Sequence, residues 1–221
     1  MHIQSIAKLL LLLAAVTQLN SCAVNPATGS ADIVTMSESR ELELGREMHQ
    51  KILATTPIYK DKKLQQYVEQ LGQKIVAVSD RPELTYHFTV IDKPDINAFA
   101  IPGGYIYINR GLLAYLNSEA QLAAVLAHEI AHVTARHSVR KESAMKGSNL
   151  LGIATILATG NYILTDMSQL WSSAAVQGYG REMELEADQY GAVYMHRSGF
   201  LTLFCTPAGK HSTDCQGVYM G

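Results

Sequence analysis

The segment His128-Glu129-Ile130-Ala131-His132 constrains this chain more than any other. It lies in a helical stretch that opens on Ser118-Glu-Ala-Gln121, a capping box in which side chains satisfy the first free backbone N–H groups. The helix is expected to run to about Lys141. Leu122, Val125, Leu126, Ile130 and Val133 recur at helical spacing, so it packs into the core. Imidazoles on a buried helix need partners, because an unpaired buried polar group costs about 1–3 kcal/mol. Residues four apart share one helical face, so His128 and His132 can point at one metal ion. Glu129 lies about 100° round the helix from His128, where it can reach a water at that ion. Two neutral nitrogen ligands and a base held off the metal are the set a zinc hydrolase needs.

A catalytic zinc site takes a third protein ligand and leaves one position open. Arg181-Glu-Met-Glu184-Leu-Glu-Ala-Asp188 offers it. Glu184 and Asp188 are again four apart, so one carboxylate can bind metal while the other accepts a hydrogen bond from a ligand histidine. Glu182 and Glu186 have the same separation, and spacing does not choose between the pairs. His49, His87, His137 and His196 have no place in either motif.

The rest of the chain reads as a mostly helical α+β domain. Thr35-Met-Ser-Glu38 is a capping box opening a helix to about Ala54, and Pro57 breaks it. A second helix is expected from about Asp61 to Val78, with Leu64, Val68, Leu71, Ile75 and Val78 in one stripe. Leu84 to Ile91 and Tyr105 to Ile108 read as strands, joined by a tight connection over Asn97–Gly104. Residues 147–165 carry no charge but several Gly, Thr and Asn, which suits a buried or surface-dipping helical flap better than a membrane span. A last helix from about Gly180 to Arg197 stops at Ser198-Gly199.

The N-terminus reads as an address. Lys8 precedes the apolar run Leu9 to Val16, too short to span a bilayer and fitting a secretory signal. Leu19-Asn20-Ser21-Cys22 resembles the lipobox of bacterial lipoproteins, which makes Cys22 the expected lipidation site. Ala23 after the cysteine resembles lipoproteins sent on to the outer membrane. Of the chain's three cysteines, Cys205 and Cys215 are then left, and they can pair in an oxidising periplasm. The expected organisation is a signal peptide over 1–21, a tether over 22–34, a catalytic domain over 35–199 and a tail over 200–221. With 18 basic and 20 acidic residues, the chain has no basic field to attract nucleic acid.

HEIAH, followed some fifty residues later by R-x-x-E-x-E-A-D, resembles the CAAX-prenyl-protease family of zinc metallopeptidases (M48 type), and within it the secreted HtpX/BepA/Oma1-like members. Asn97-Ala-Phe-Ala-Ile-Pro-Gly-Gly-Tyr-Ile-Tyr-Ile-Asn-Arg-Gly111 is similar to that family's strand before the HExxH helix. The resemblance covers roughly residues 35–199. It implies a gluzincin-like core with a small β-sheet beside the HExxH helix. It implies His128, His132 and Glu184 as ligands of one zinc ion, Glu129 as catalytic base and Asp188 behind the ligands; Arg181 either orients Glu184 or Asp188 or lies exposed on the surface. Substrate is expected as an added strand along Tyr105, Ile106, Tyr107, Ile108 and Asn109. The resemblance further implies polypeptide substrates, a role in clearing misfolded or stalled envelope proteins, and envelope assembly machinery as partner. A zinc-containing lipoprotein that binds polypeptides without cutting them is the alternative. After Ser198-Gly199-Phe200 the family pattern stops, so an atypical or truncated end is expected, with His211 as a conceivable substitute ligand.

Overall fold

The computed structural model describes residues 22–27, 29, 31–33, 36–143 and 179–200, with backbone alone at 22–24 and 31–33. The segments expected as a signal peptide and as a flap over 147–165, with Cys205, Cys215 and His211, lie outside the described residues.

Part of the segment expected as a tether is paired. β1 (Cys22–Val24) and β2 (Ala31–Ile33) form an antiparallel hairpin with Cys22 opposite Ile33. Buried Asn25 follows β1, and its Nδ2 donates to the Ala135 carbonyl at 3.2 Å. Helix α1 (Glu38–Thr55) is capped by Ser37, not Thr35: the Ser37 hydroxyl accepts from the Arg40 N–H. Serine caps as well as threonine, and this start puts Glu38 and Glu41 in the first turn, where the helix dipole favours acids.

Helix α2 (Lys62–Val76) starts as its sequence directs, with Asp61 Oδ1 accepting from the N–H groups of Lys63 and Leu64. Its stripe buries Val68, Leu71 and Ile75. Three strands follow: β3 (His87–Ile91), β4 (Ala98–Ile101) and β5 (Tyr105–Asn109). The expected connection over Asn97–Gly104 therefore contains a strand. Ala98-Phe-Ala-Ile101 has only two strong β-formers, whereas Pro102, Gly103 and Gly104 mark the turn clearly. Gly103 and Gly104 have φ of +79° and +88°, a backbone region that glycine enters at little cost.

The sheet order is β3-β5-β4, with β5 parallel to β3 and antiparallel to β4. This corrects the expected substrate strand. Tyr105–Asn109 is central, its backbone groups are bonded on both sides, and it has no edge to offer. The outer edge of β3 is also covered. Gln65 on α2 donates to the Val90 carbonyl at 2.8 Å and accepts from its N–H at 2.9 Å, and Glu69 accepts from the Phe88 N–H at 3.2 Å. Among the described residues, the edge left is that of β4.

A short helix α3 (Arg110–Tyr115) leads to α4 (Glu119–Thr134), whose cap Ser118 accepts from the Gln121 N–H. The α4 helix stops short of Lys141. Arg136 takes a left-handed conformation (φ +54°), and residues 137–143 are helical again beyond it. Its guanidinium fixes this break, binding the buried Glu41 carboxylate through Nε at 2.9 Å and Nη2 at 2.8 Å. Helix α5 (Arg181–Arg197) follows Gly180 and ends at Ser198-Gly199 as expected.

Alternation along β5 divides the core. Ile106 and Ile108 pack with α2, α4 and α5, while Tyr107 packs with Ile91, Ile101 and the α1 residues Met48 and Ile52. Gly191 lets α5 approach α4 closely: a Cβ there would lie 3.1 Å from the His128 nitrogen and 3.2 Å from its Cα. Among the described residues, no helix is long and apolar enough to cross a membrane.

Candidate metal centre

The crossing at Gly191 sets the acidic start of α5 against the two histidines of α4. His128 and His132 turn their Nε2 atoms to one point, 2.9 Å apart. Glu184 Oε2 completes the group, 3.5 Å from His128 Nε2 and 3.9 Å from His132 Nε2. Bonds of about 2.0–2.1 Å at tetrahedral angles would put ligand atoms about 3.3–3.4 Å apart, so the donor set fits one ion after shifts of about half an ångström. Two imidazoles and one carboxylate converge, and among the described residues they form the cluster able to hold a metal.

Further contacts orient each ligand. His128 Nδ1 lies 2.9 Å from Asp188 Oδ1, a carboxylate that accepts only, so this nitrogen carries the proton and Nε2 is free to bind. Glu184 Oε1 accepts from the Tyr179 N–H at 3.1 Å, leaving Oε2 for the cluster. His132 is buried, stacked on the Tyr179 ring at a centroid distance of 4.1 Å. Burial, followed by the neighbouring His128 and His137, pushes its imidazole down to about 2, so it is neutral and its lone pair is available.

Glu129 is buried beside the cluster, and the nearby backbone N–H of Ala100 on β4 favours its charged form. Burial first, and the Glu184 carboxylate second, push it up to about 8. A divalent cation at the cluster would draw it back, so this acid is placed to gain and lose a proton near neutral pH.

The profile of peptidase family M48 matches residues 62–204. The chain belongs to peptidase family M48. It is 32% identical over 187 residues to the beta-barrel assembly-enhancing protease of Escherichia coli, covering 79% of this chain and 38% of the relative. The protein of the same name from Yersinia pestis is 33% identical over the same shares. The mitochondrial metalloendopeptidase OMA1 of Schizosaccharomyces pombe is 35% identical over 136 residues, 61% of this chain and 40% of the relative. The chain thus spans less than half the length of these curated relatives.

The structure brings His128, Glu129, His132, Glu184 and Asp188 together in this M48 chain and leaves other expected residues aside. Arg181 is exposed at the start of α5 and makes no ion pair with Glu184 or Asp188 among the described residues. Glu182 is exposed, and Glu186 faces away to Arg140, whose Nη1 donates to both its oxygens at 3.0 and 2.9 Å. The carboxylate pair that spacing left open is therefore Glu184 and Asp188. Sequence reasoning missed Tyr179, Gly191 and His137. His137 is five residues beyond His132, off its face in a regular helix, and only the turn at Arg136 brings it back.

Proposed function

We propose that the chain is a zinc-dependent endopeptidase of the bacterial envelope that hydrolyses misfolded or stalled envelope proteins. The observation that carries this reading is the convergence of His128, His132 and Glu184 beside the buried carboxyl of Glu129. The fit of the donor set, two neutral nitrogens and one carboxylate, supports zinc. A zinc ion bound there supplies Lewis acidity, polarising the scissile carbonyl and acidifying the attacking water.

The chain's own residues do the rest. Glu129 takes the proton of the attacking water and delivers it to the leaving amine nitrogen. Asp188 and Tyr179 hold two of the ligands in place, which limits reorganisation during the reaction. An extended substrate has the β4 edge at Ala98 to pair with, in place of the central strand β5. Pairing through backbone groups does not depend on substrate side chains, which suits clearance of diverse unfolded chains.

The start of the sequence supports a periplasmic position, with a lipid on Cys22 holding the protein at the outer membrane. The names of the bacterial relatives, which speak of beta-barrel assembly, support the barrel-assembly machinery as partner. Casein digestion compared between the wild type and Glu129→Gln tests the reading. The wild type should cut, and the variant should bind one zinc per chain and lose cleavage by orders of magnitude. No cleavage by either protein, with zinc bound in both, would identify a polypeptide-binding module instead.

A further inference from the structure

His137 belongs to neither sequence motif, yet it is fully buried against the metal cluster. Its Nδ1 lies 2.7 Å from Nδ1 of His132, on the side of that ring away from the cluster. Among the described residues its Nε2 has no hydrogen-bond partner, and it lies 3.6 Å from Glu186 Oε2. Glu186 is in turn held by Arg140. The Tyr179 ring lies tilted beside the His137 ring, with ring centroids 5.7 Å apart.

Two neutral imidazoles with facing nitrogens permit one good arrangement: one nitrogen must donate and the other accept. If His132 binds metal through Nε2, its proton must sit on Nδ1, and that proton points at His137 Nδ1. His137 must then carry its own proton on Nε2, which faces the Glu186 carboxylate. A single placement of protons fits the row, with the His137 Nε2 proton turned towards the Glu186 carboxylate 3.6 Å away. His128 has a carboxylate behind it, and His132 has an imidazole backed by a carboxylate.

We propose that His137 is a positioning residue for the metal centre: its Nδ1 accepts from His132 Nδ1–H and so fixes the tautomer and ring orientation with which His132 binds metal. Glu186, the carboxylate that looked interchangeable with Glu184, anchors the far end of this row. The proposal rests on the reading of His128, His132 and Glu184 as a metal site, and its test separates the two.

Zinc affinity is measured by chelator competition on the full chain for the wild type, His137→Phe, His137→Gln and Glu184→Ala. His137→Phe removes the acceptor and should weaken binding about 10–100-fold, the loss typical when a group behind a metal ligand is removed. His137→Gln keeps an acceptor oxygen and should recover most of that loss. If His137→Phe binds like the wild type while Glu184→Ala does not, the positioning role is wrong and the metal site stands. If Glu184→Ala also binds like the wild type, the metal site itself is wrong. Should His137→Phe fail to fold, the imidazole nitrogens of the zinc-loaded wild type decide by long-range proton–nitrogen NMR. Protons on Nδ1 of His132 and Nε2 of His137 are expected, and a proton on Nδ1 of His137 overturns the proposal.

Discussion

Glu41 on α1 links the outer helix to the end of the HExxH helix, and Glu41→Ala should destabilise the protein substantially. Glu41 is 1% exposed, and its carboxylate accepts from Arg81 Nη1 at 3.1 Å, Arg136 Nε at 2.9 Å and Arg136 Nη2 at 2.8 Å. Removing one partner of a buried ion pair costs about 3–5 kcal/mol, because the other charge stays buried without it. The lower end applies here. Arg81 retains Glu38 at 2.9 Å and the Val133 carbonyl at 3.3 Å, and Arg136 retains the Met36 carbonyl at 3.3 Å. At roughly 2–4 °C per kcal/mol for a chain of this size, a loss of about 3 kcal/mol lowers Tm by about 6–12 °C. Scanning calorimetry of metal-free protein reads this directly. Because Arg136 forms the turn that returns His137 to His132, the same substitution should also weaken zinc binding. A melt within about 2 °C of the wild type would refute the view that this network holds α1 to the HExxH helix.

Two further perturbations test the geometry and charge of the site. Gly191→Val puts a branched side chain where even a Cβ lies 3.1 Å from the His128 nitrogen, so α5 must move outward. Chelator competition should show weaker zinc binding with helix content retained, and unchanged affinity would refute the role of this close approach. Metal-free protein should be most stable near pH 6.5. Glu129 is raised on folding from 4.5 to about 8, so the stability it contributes at low pH is lost as pH climbs through that range. Burial lowers His132 and His137 from 6.5 to about 2 and about 3, so their contribution is lost as pH falls below 6.5. Melts across this range should show the peak. Glu129→Gln should remove the decline between pH 7 and 8, and a decline that persists assigns it to another group.

Much of this was legible in the sequence where local signals agree. The caps at Asp61 and Ser118, the α2 stripe and the i, i+4 pairs of α4 and α5 each follow from short-range rules that the fold obeys. Long-range pairing was not legible. Nothing in Tyr105–Asn109 says that it is flanked on both sides, because apolar strands at an edge and at the centre have similar composition. The break after Thr134 was hidden for a different reason. A left-handed residue is usually signalled by glycine or asparagine, whereas here arginine is held there by a glutamate 95 residues away. The choice of Glu184 over Glu182 and Glu186 likewise depends on how α5 lies against α4, which residue spacing does not encode.

The most direct measurement is a titration of zinc into metal-free protein, following bound metal and peptide cleavage together. Cleavage should be absent without metal, rise in proportion to occupancy and level off at one zinc per chain. Glu184→Ala should neither bind nor cut in the same range. Cleavage by metal-free wild type, or saturation with no dependence on Glu184, would contradict the assignment of His128, His132 and Glu184 as the metal centre of this M48 chain.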